Sequence, residues 1–294
     1  MVREMSEWQT NLLGMIRRAS TDLPPDVESA LGKRREEEAP GSLARETLGT
    51  LLENTVLARR LARPLCQDTG TLVFRIHAPV GFSHREFERN ARTAVVEAVE
   101  EGTLRRNCVD PVTGENTGNG IGRGNPVFCW HEHDADRVDV ALLQKGGGCE
   151  NVGGQYALPD PDLGAGRDLD GVRRCALDTV FHAQGRGCAP GILAVVVGGD
   201  RTTGEKTAKE QFFRHIADRH PDSEIASLER RILDEANRLE IGPMGFGGKT
   251  TLLDVFAEAL ERLPASYFVT TSYMCWAFRR TERSFDPAGG AWQA

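Results

Sequence analysis

Seven cysteines are scattered over 294 residues, and no two of them form C-x-x-C. That spacing does not indicate a zinc ribbon or a thioredoxin-like redox pair. The absence of a short-spaced framework argues against a disulfide scaffold. Free thiols in such a chain are metal ligands, nucleophiles or small buried hydrophobes. Cys66 follows Pro64-Leu65, Cys188 lies between Gly187 and Ala189-Pro190, and Cys275 ends an apolar stretch before Trp276 and Arg279-Arg280. Each stands at the end of a predicted element beside turn residues. Cys129 falls inside an apolar strand and Cys175 inside a helix, which are the settings of packing residues; Cys108 and Cys149 are in loops and fit either class. On spacing alone, the metal-site, catalytic-thiol and packing readings of Cys66, Cys188 and Cys275 all stay open.

Thirty-two glycines form a second set, many at element ends. Glycine there permits positive φ and close approach of backbone N–H groups to a ligand. Phosphate is the first ligand to test. Gly247-Gly248-Lys249-Thr250 looks like the end of a P-loop, but the position that must be the leading glycine is Pro243. Gly118, Gly120, Gly122 and Gly124 never satisfy G-x-G-x-x-G after a strand, so a dinucleotide fold is not indicated. Lys145-Gly146-Gly147-Gly148 reads as functional, because three consecutive glycines give no packing and cost backbone entropy.

Five segments carry a family resemblance. They are Cys66-Gln67-Asp68-Thr69-Gly70-Thr71; Lys145-Gly146-Gly147-Gly148-Cys149-Glu150-Asn151; Gly187-Cys188-Ala189-Pro190-Gly191 with Gly198-Gly199-Asp200-Arg201; Ile241-Gly242-Pro243-Met244-Gly245 with Gly247-Gly248-Lys249-Thr250-Thr251; and Cys275-Trp276 with Arg279-Arg280. In this order they resemble the class I, iron–sulfur-dependent fumarate hydratases and L-tartrate dehydratases, specifically the α subunit or N-terminal cluster-binding domain. The resemblance implies a mixed α/β (α+β) domain, with sheets flanked by helices around a central cluster site. It also implies a [4Fe–4S] cluster held by Cys66, Cys188 and Cys275. Three thiolates leave one iron open, and an open iron can act as a Lewis acid on a substrate hydroxyl and carboxylate. The same resemblance assigns substrate contact to Gln67, Asp68, Arg105, the Gly146, Gly147 and Gly148 loop and Lys249. Asp68 is the candidate acid/base group, and Arg106 is an alternative to Arg105. The partners implied are a small carboxylic-acid substrate and a β subunit carrying further basic residues and the catalytic base, within a higher oligomer.

Two positions depart from the family pattern. Leu263 stands where a histidine is common, twelve residues before Cys275, and Cys149 follows the glycines where serine is common. The first removes a polar substrate contact and leaves the acid open. Fumarate and malate come first, tartrate or another acid second. A non-catalytic, cluster-carrying regulator or sensor is the rival from another class.

These segments need elements to position them. Residues 1–41 contain Pro24-Pro25 and a run of charge from Lys33 to Glu38, and read as a weakly organised or partner-bound arm. The remainder, 42–294, reads as the cluster-binding domain, with a weak division near 160. Helical spacing begins at Ser42 and stops before Pro64. A strand follows over 72–76, then a helix capped by Ser83 and running to about 101. Strands are predicted over 127–130 and 138–143, a helix over 168–183, a strand over 192–197, helices over 206–219 and 223–239, and strands over 252–257 and 267–273.

The bulk properties bound the class. The chain is 39% hydrophobic and 27% charged, with a formal net charge of −7. That is ordinary for a globular protein and argues against a general nucleic-acid binder, which needs a basic face. No apolar run approaches the roughly 20 residues that span a bilayer, and the acidic N-terminus lacks a signal-peptide core. The expectation is a cytoplasmic protein.

Overall fold

The computed structural model describes residues 5–291. The chain divides into two compact units, each discontinuous in sequence. Unit 1 comprises residues up to 24, 54–145 and 279 onward; unit 2 comprises 25–53 and 146–278.

Unit 1 is built on a four-stranded sheet of order β2-β1-β3-β8, from β1 (Thr71–Pro79), β2 (Val127–His133), β3 (Val138–Lys145) and β8 (Arg279–Phe285). β1 pairs parallel with β2 and antiparallel with β3, and β3 pairs antiparallel with β8. Alternation sends Phe74, Ile76, Val140 and Leu142 to one face. There they form a core with Leu12, Ile16, Phe87, Ala91 and Val95 from α1 (Glu7–Thr21) and α4 (His84–Glu100). Each buried Leu, Ile, Val or Phe among them contributes about 1.5–3 kcal/mol.

α1 corrects the reading of the first 41 residues as a weakly organised arm. Ser6 and Gln9 make a reciprocal capping box, and Trp8, Leu12, Ile16 and Ala19 recur at helical spacing as core residues. The stretch with the charge run is also helical, α2 (Pro25–Glu37), with Val27 and Leu31 buried. Asp26 and Glu28 lie in its first turn and Arg34 and Arg35 in its last, in accord with the helix dipole, although Glu36 and Glu37 also stand in the last turn. No division falls near 160 either: the chain passes between units after 24, 53, 145 and 278.

Unit 2 holds a second four-stranded sheet of order β4-β7-β5-β6, from β4 (Gly154–Ala157), β5 (Gly191–Val197), β6 (Leu252–Ala259) and β7 (Phe268–Met274). β5 is buried along its whole length and pairs with β6 and β7. α6 (Leu169–Ala183), α7 (Arg201–Gln211) and α8 (Ser223–Asn237) pack around this sheet, each N-capped by an aspartate: Asp168, Asp200 and Asp222. α3 (Leu43–Leu61) starts in unit 2 and ends in unit 1.

An ion network ties α6 to α8. Arg173 donates to Asp170 at 2.9 Å and to Glu235 at 2.5 Å. Hydrogen bonds from Arg173 and Arg174 pull the Asp170 carboxyl down to about 2. Its folded pKa lies below the unfolded one, so its stabilisation is present above about pH 4 and is lost as pH falls through about 2. The Asp170 side chain is 43% exposed, so the contribution is under about 1 kcal/mol. Asp170→Asn is expected to lower the melting temperature at pH 7 by about 1–3 °C. The gap to wild type should narrow by pH 3, as read by parallel thermal melts at the two pH values.

Candidate functional site

In unit 1 the segment between α3 and β1 forms a tight loop. Leu65 donates to the Ser20 carbonyl at 2.9 Å, and Asn54 Nδ2 donates to the Leu65 carbonyl at 3.0 Å. These bonds fix the residue before the half-buried Cys66. Asp68 Oδ1 accepts the Gly70 N–H at 3.0 Å, which makes the turn. Thr69 is buried, and its hydroxyl accepts from the Arg105 N–H at 3.3 Å and from Asn107 Nδ2 at 3.1 Å. The loop after α4 is thereby fastened to the Cys66 loop.

The result is an open depression of about 410 Å³ lined by Gln67, Asp68, Arg105, Arg106, Asn107 and Val109. The residues expected to bind substrate in this unit therefore meet at one place. Both arginines line it, so Arg105 and Arg106 stay equivalent as carboxylate partners. Asn107 and Thr69 were not singled out from the sequence, because an asparagine and a threonine in loops ordinarily make turns.

Register brings further charge to the same end of the sheet. Thr71 pairs with Lys145, and Gln144 with Arg279. The 66–70 loop enters β1 here, and β3 leaves here for the three glycines. Lys145 is fully buried and Arg279 is 1% exposed. Arg279 Nε and Nη1 meet no hydrogen-bond acceptor among the described residues. A buried guanidinium cannot shed its proton, so its placement favours an anion nearby.

In unit 2, Gly146 caps the short helix α5 (Gly147–Glu150) without a side chain, and Gly148 lies beside the backbone at Arg186. Cys188 follows a 3₁₀ turn over Gln184–Gly187 and adopts a left-handed conformation, φ 54° and ψ 61°. Its N–H donates to the Gly185 carbonyl at 3.0 Å, and its carbonyl accepts the Trp276 N–H at 3.2 Å. That second bond ties the Cys188 turn to the residue after Cys275. Met244 N–H donates to the Ala189 carbonyl at 2.8 Å, which brings the Gly242–Gly248 loop to the same turn.

Tyr273 is the packing centre of this arrangement. Its ring lies so close to Gly187 and Gly191 that neither position has room for a Cβ. Burial pushes its hydroxyl well above the ordinary tyrosine range, and the thiols of Cys275, Cys149 and Cys188 add to the effect. The three thiols thus lie near enough to act on the Tyr273 hydroxyl electrostatically. Tyr273 was missed in the sequence because an aromatic in an apolar strand reads as core.

Other site residues fall differently. Cys66 belongs to unit 1, whereas Cys188 and Cys275 belong to unit 2. Among the described residues, no three histidine, cysteine or acidic side chains converge as a metal site. The donor set nonetheless fits an iron–sulfur group in kind: all three are free thiols, two of them half-exposed and two held in adjoining segments. Lys249 is exposed, while its neighbour Thr250 is buried and bonded to Glu38 at 2.6 and 2.8 Å. Leu263 is 76% exposed on the loop after β6, so it is not a core replacement for a histidine.

Cys129 departs from the packing reading. Phe128 and Trp130 face the unit 1 core, and alternation turns Cys129 to the opposite face, where it is half-exposed. Cys175 matches that reading. It is fully buried, and burial, helped by Asp160 and Asp178, pushes its thiol up to about 12. Brief iodoacetamide treatment of the folded chain, followed by peptide mass mapping, is expected to label the half-exposed Cys66, Cys108, Cys129 and Cys188 first. Cys175 should stay unlabelled until denaturant is added.

The chain is 44% identical over 289 residues to a Geobacillus stearothermophilus protein named as a class I fumarate hydratase, covering 97% of this chain and 56% of the relative. The chain therefore spans little more than half the length of that relative. It is 33% identical over 271 residues to a Methanocaldococcus jannaschii protein named as an L(+)-tartrate dehydratase α subunit, covering 90% and 93%. It is 31% identical over 281 residues to the L(+)-tartrate dehydratase α subunit of Escherichia coli K12, covering 95% and 90%. A family model described as Fumarate hydratase (Fumerase) matches residues 9–284, nearly the whole chain, and the chain belongs to that family.

Proposed function

We propose that the chain is the cluster-binding part of an iron–sulfur hydro-lyase that interconverts fumarate and malate. The observation that carries this reading is the grouping of Gln67, Asp68, Arg105 and Arg106 around one depression beside the Cys66 loop. A dicarboxylate needs cationic partners for its carboxylates and a group to move a proton, and this set supplies both. Cys66, Cys188 and Cys275 would hold the [4Fe–4S] cluster, and when bound that group supplies a Lewis-acidic iron for the departing hydroxyl.

The chain's own residues do the rest. Arg105 or Arg106 takes a carboxylate as a bidentate pair, and the Gln67 amide donates to a substrate oxygen. Asp68 holds or releases a proton at its carboxylate. The backbone of Gly146–Gly148 approaches a second carboxylate without side-chain interference, and Lys249 adds an exposed cation. A β subunit supplies the remaining basic groups and the catalytic base, because the longer relative has nearly half its length outside the match. A reducing cytoplasm suits seven free thiols, and no helix among the described residues is long and apolar enough to cross a membrane.

The test is anaerobic reconstitution with iron, sulfide and the partner subunit, followed by absorbance assays on fumarate, malate and tartrate. Turnover of fumarate and malate is expected, and turnover of tartrate alone would reassign the substrate. Leu263, exposed where a polar contact is common, favours one second reading, a cluster-carrying regulator. A stable cluster with no turnover of any acid would establish it.

A further inference from the structure

The face of the unit 1 sheet turned away from α1 and α4 carries an unusual set of side chains. Since Phe74, Ile76, Phe128, Trp130 and Val140 point to the core side, alternation places His77, His131, His133 and Asp139 on the other side. The register sets His77 opposite His131 on β2 and opposite Asp139 on β3. His133 is two residues beyond His131 on the same face. Three of the chain's seven histidines thus share one patch across three adjacent strands.

The distances are short. The ring of His77 lies 4.6 Å from that of His131 and 6.4 Å from that of His133, centroid to centroid. His133 Nε2 is 3.5 Å from Asp139 Oδ2. His133 Nδ1 accepts the Ala135 N–H at 3.2 Å, leaving Nε2 as the nitrogen turned to the carboxylate. The central strand β1 is paired on both sides, so the backbone spacing of these groups is fixed.

Imidazole nitrogens with one carboxylate make a ligand set for a borderline divalent cation of the zinc type. Two histidines at alternate positions of one strand, with a third across from them, present three donors to one side of a sheet. The rings now lie stacked, and no three donors meet at a point. Zinc–nitrogen bonds of about 2.0–2.1 Å require neighbouring donors about 3.3 Å apart. The His133 side chain is 21% exposed, and the Nε2 atoms of His131 and His133 are buried; binding requires these rings to rotate about their side-chain bonds while the strands stay fixed. Asp139 is at present held by Arg137 Nε at 2.9 and 3.0 Å and by the Ser284 hydroxyl, which donates to Oδ1 at 2.5 Å; Oδ2 is the oxygen turned to His133. Arg137 is 42% exposed and can swing into solvent.

We propose that His77, His131 and His133, completed by Asp139, bind one zinc-type divalent cation on the open face of this sheet, with a ligand set separate from the three thiols. Equilibrium dialysis against Zn²⁺ tests it on the Cys188→Ser/Cys275→Ser variant of the chain, which removes two competing thiols. That variant is expected to retain one Zn²⁺ per chain. Adding His77→Gln or His131→Gln should weaken retention at least tenfold without changing the metal-free melting temperature. Co²⁺ in place of Zn²⁺ should give the visible absorption of a four-coordinate site, lost with the same substitutions. If His77→Gln lowers the metal-free melting temperature, His133→Gln serves in its place. Failure of the serine variant to retain Zn²⁺, or retention indifferent to the histidine substitutions, would overturn the site. Neither outcome bears on the hydro-lyase reading.

Discussion

Asp68→Asn is expected to lower turnover of fumarate and malate by about 10²- to 10⁴-fold in the reconstituted enzyme. The melting temperature should stay near that of wild type. The substitution is chosen because Asp68 has two roles that separate cleanly. Its Oδ1 accepts the Gly70 N–H and shapes the loop, and an asparagine oxygen can accept the same bond. What asparagine cannot do is carry or release a proton as a carboxylate does. The neighbouring bonds from Arg105 N–H and Asn107 to Thr69 are untouched, so the depression keeps its lining. Iron content and cluster absorbance should therefore match wild type while turnover falls. Full activity would reduce Asp68 to a turn residue and leave the proton transfer to another group.

Much of the local structure was legible because its signals are local. Ser83 and Asp168 announce the starts of α4 and α6, and both accept capping bonds. The apolar run that became β5 has no polar position, as a strand buried on both faces requires. The errors arose where a strong signal hid a weaker one. Pro24-Pro25 and the charge run drew attention from the capping box at Ser6 and the core residues of α1. A helix expected over 206–219 is instead Arg201–Gln211, because Asp200 caps it through Thr202 and Thr203. The chain beyond then turns, with Ala217 at a positive φ. β8 escaped notice because Arg279-Arg280-Thr281-Glu282-Arg283 looks solvated, yet the strand pairs fully with β3 and buries Arg279.

Pairing between distant segments is where sequence reasoning stopped. Nothing local says that β1 and β3 are neighbours, or that residues beyond 278 return to the first unit. For the same reason the site was legible as a set of motifs rather than as a place. The loop residues Gln67, Asp68 and Arg105 were named individually; their meeting depends on Thr69, whose buried hydroxyl joins two loops. Cys129 shows the converse error. Its neighbours are apolar, but a strand with one face on the core sends alternate residues outward, so apolar context alone did not give its burial.

Cys188→Ser is expected to abolish stable cluster assembly and to reduce turnover by at least about 100-fold, since even residues one step removed from a metal cost 10- to 100-fold. The backbone at this position is unusually constrained. Cys188 is left-handed, donates to Gly185, accepts from Trp276 and follows Gly187, which packs directly on the Tyr273 ring. Serine keeps those backbone bonds and nearly the same volume, so the cluster-free chain should melt within about 1 °C of wild type, as surface-like substitutions do. The change is confined to the thiolate. Iron and sulfide analysis after anaerobic reconstitution reads the loss directly, and cluster absorbance reads it independently of any partner subunit. Cys175→Ser is the control: its thiol is buried, poorly ionised and remote in kind from ligand chemistry, so it should leave cluster content unchanged. Were Cys188→Ser to assemble a full cluster while Cys175→Ser did not, the ligand assignment would be reversed. The proximity of Cys188, Cys275 and Cys149 to Tyr273 would then be a packing feature that happens to be rich in sulfur.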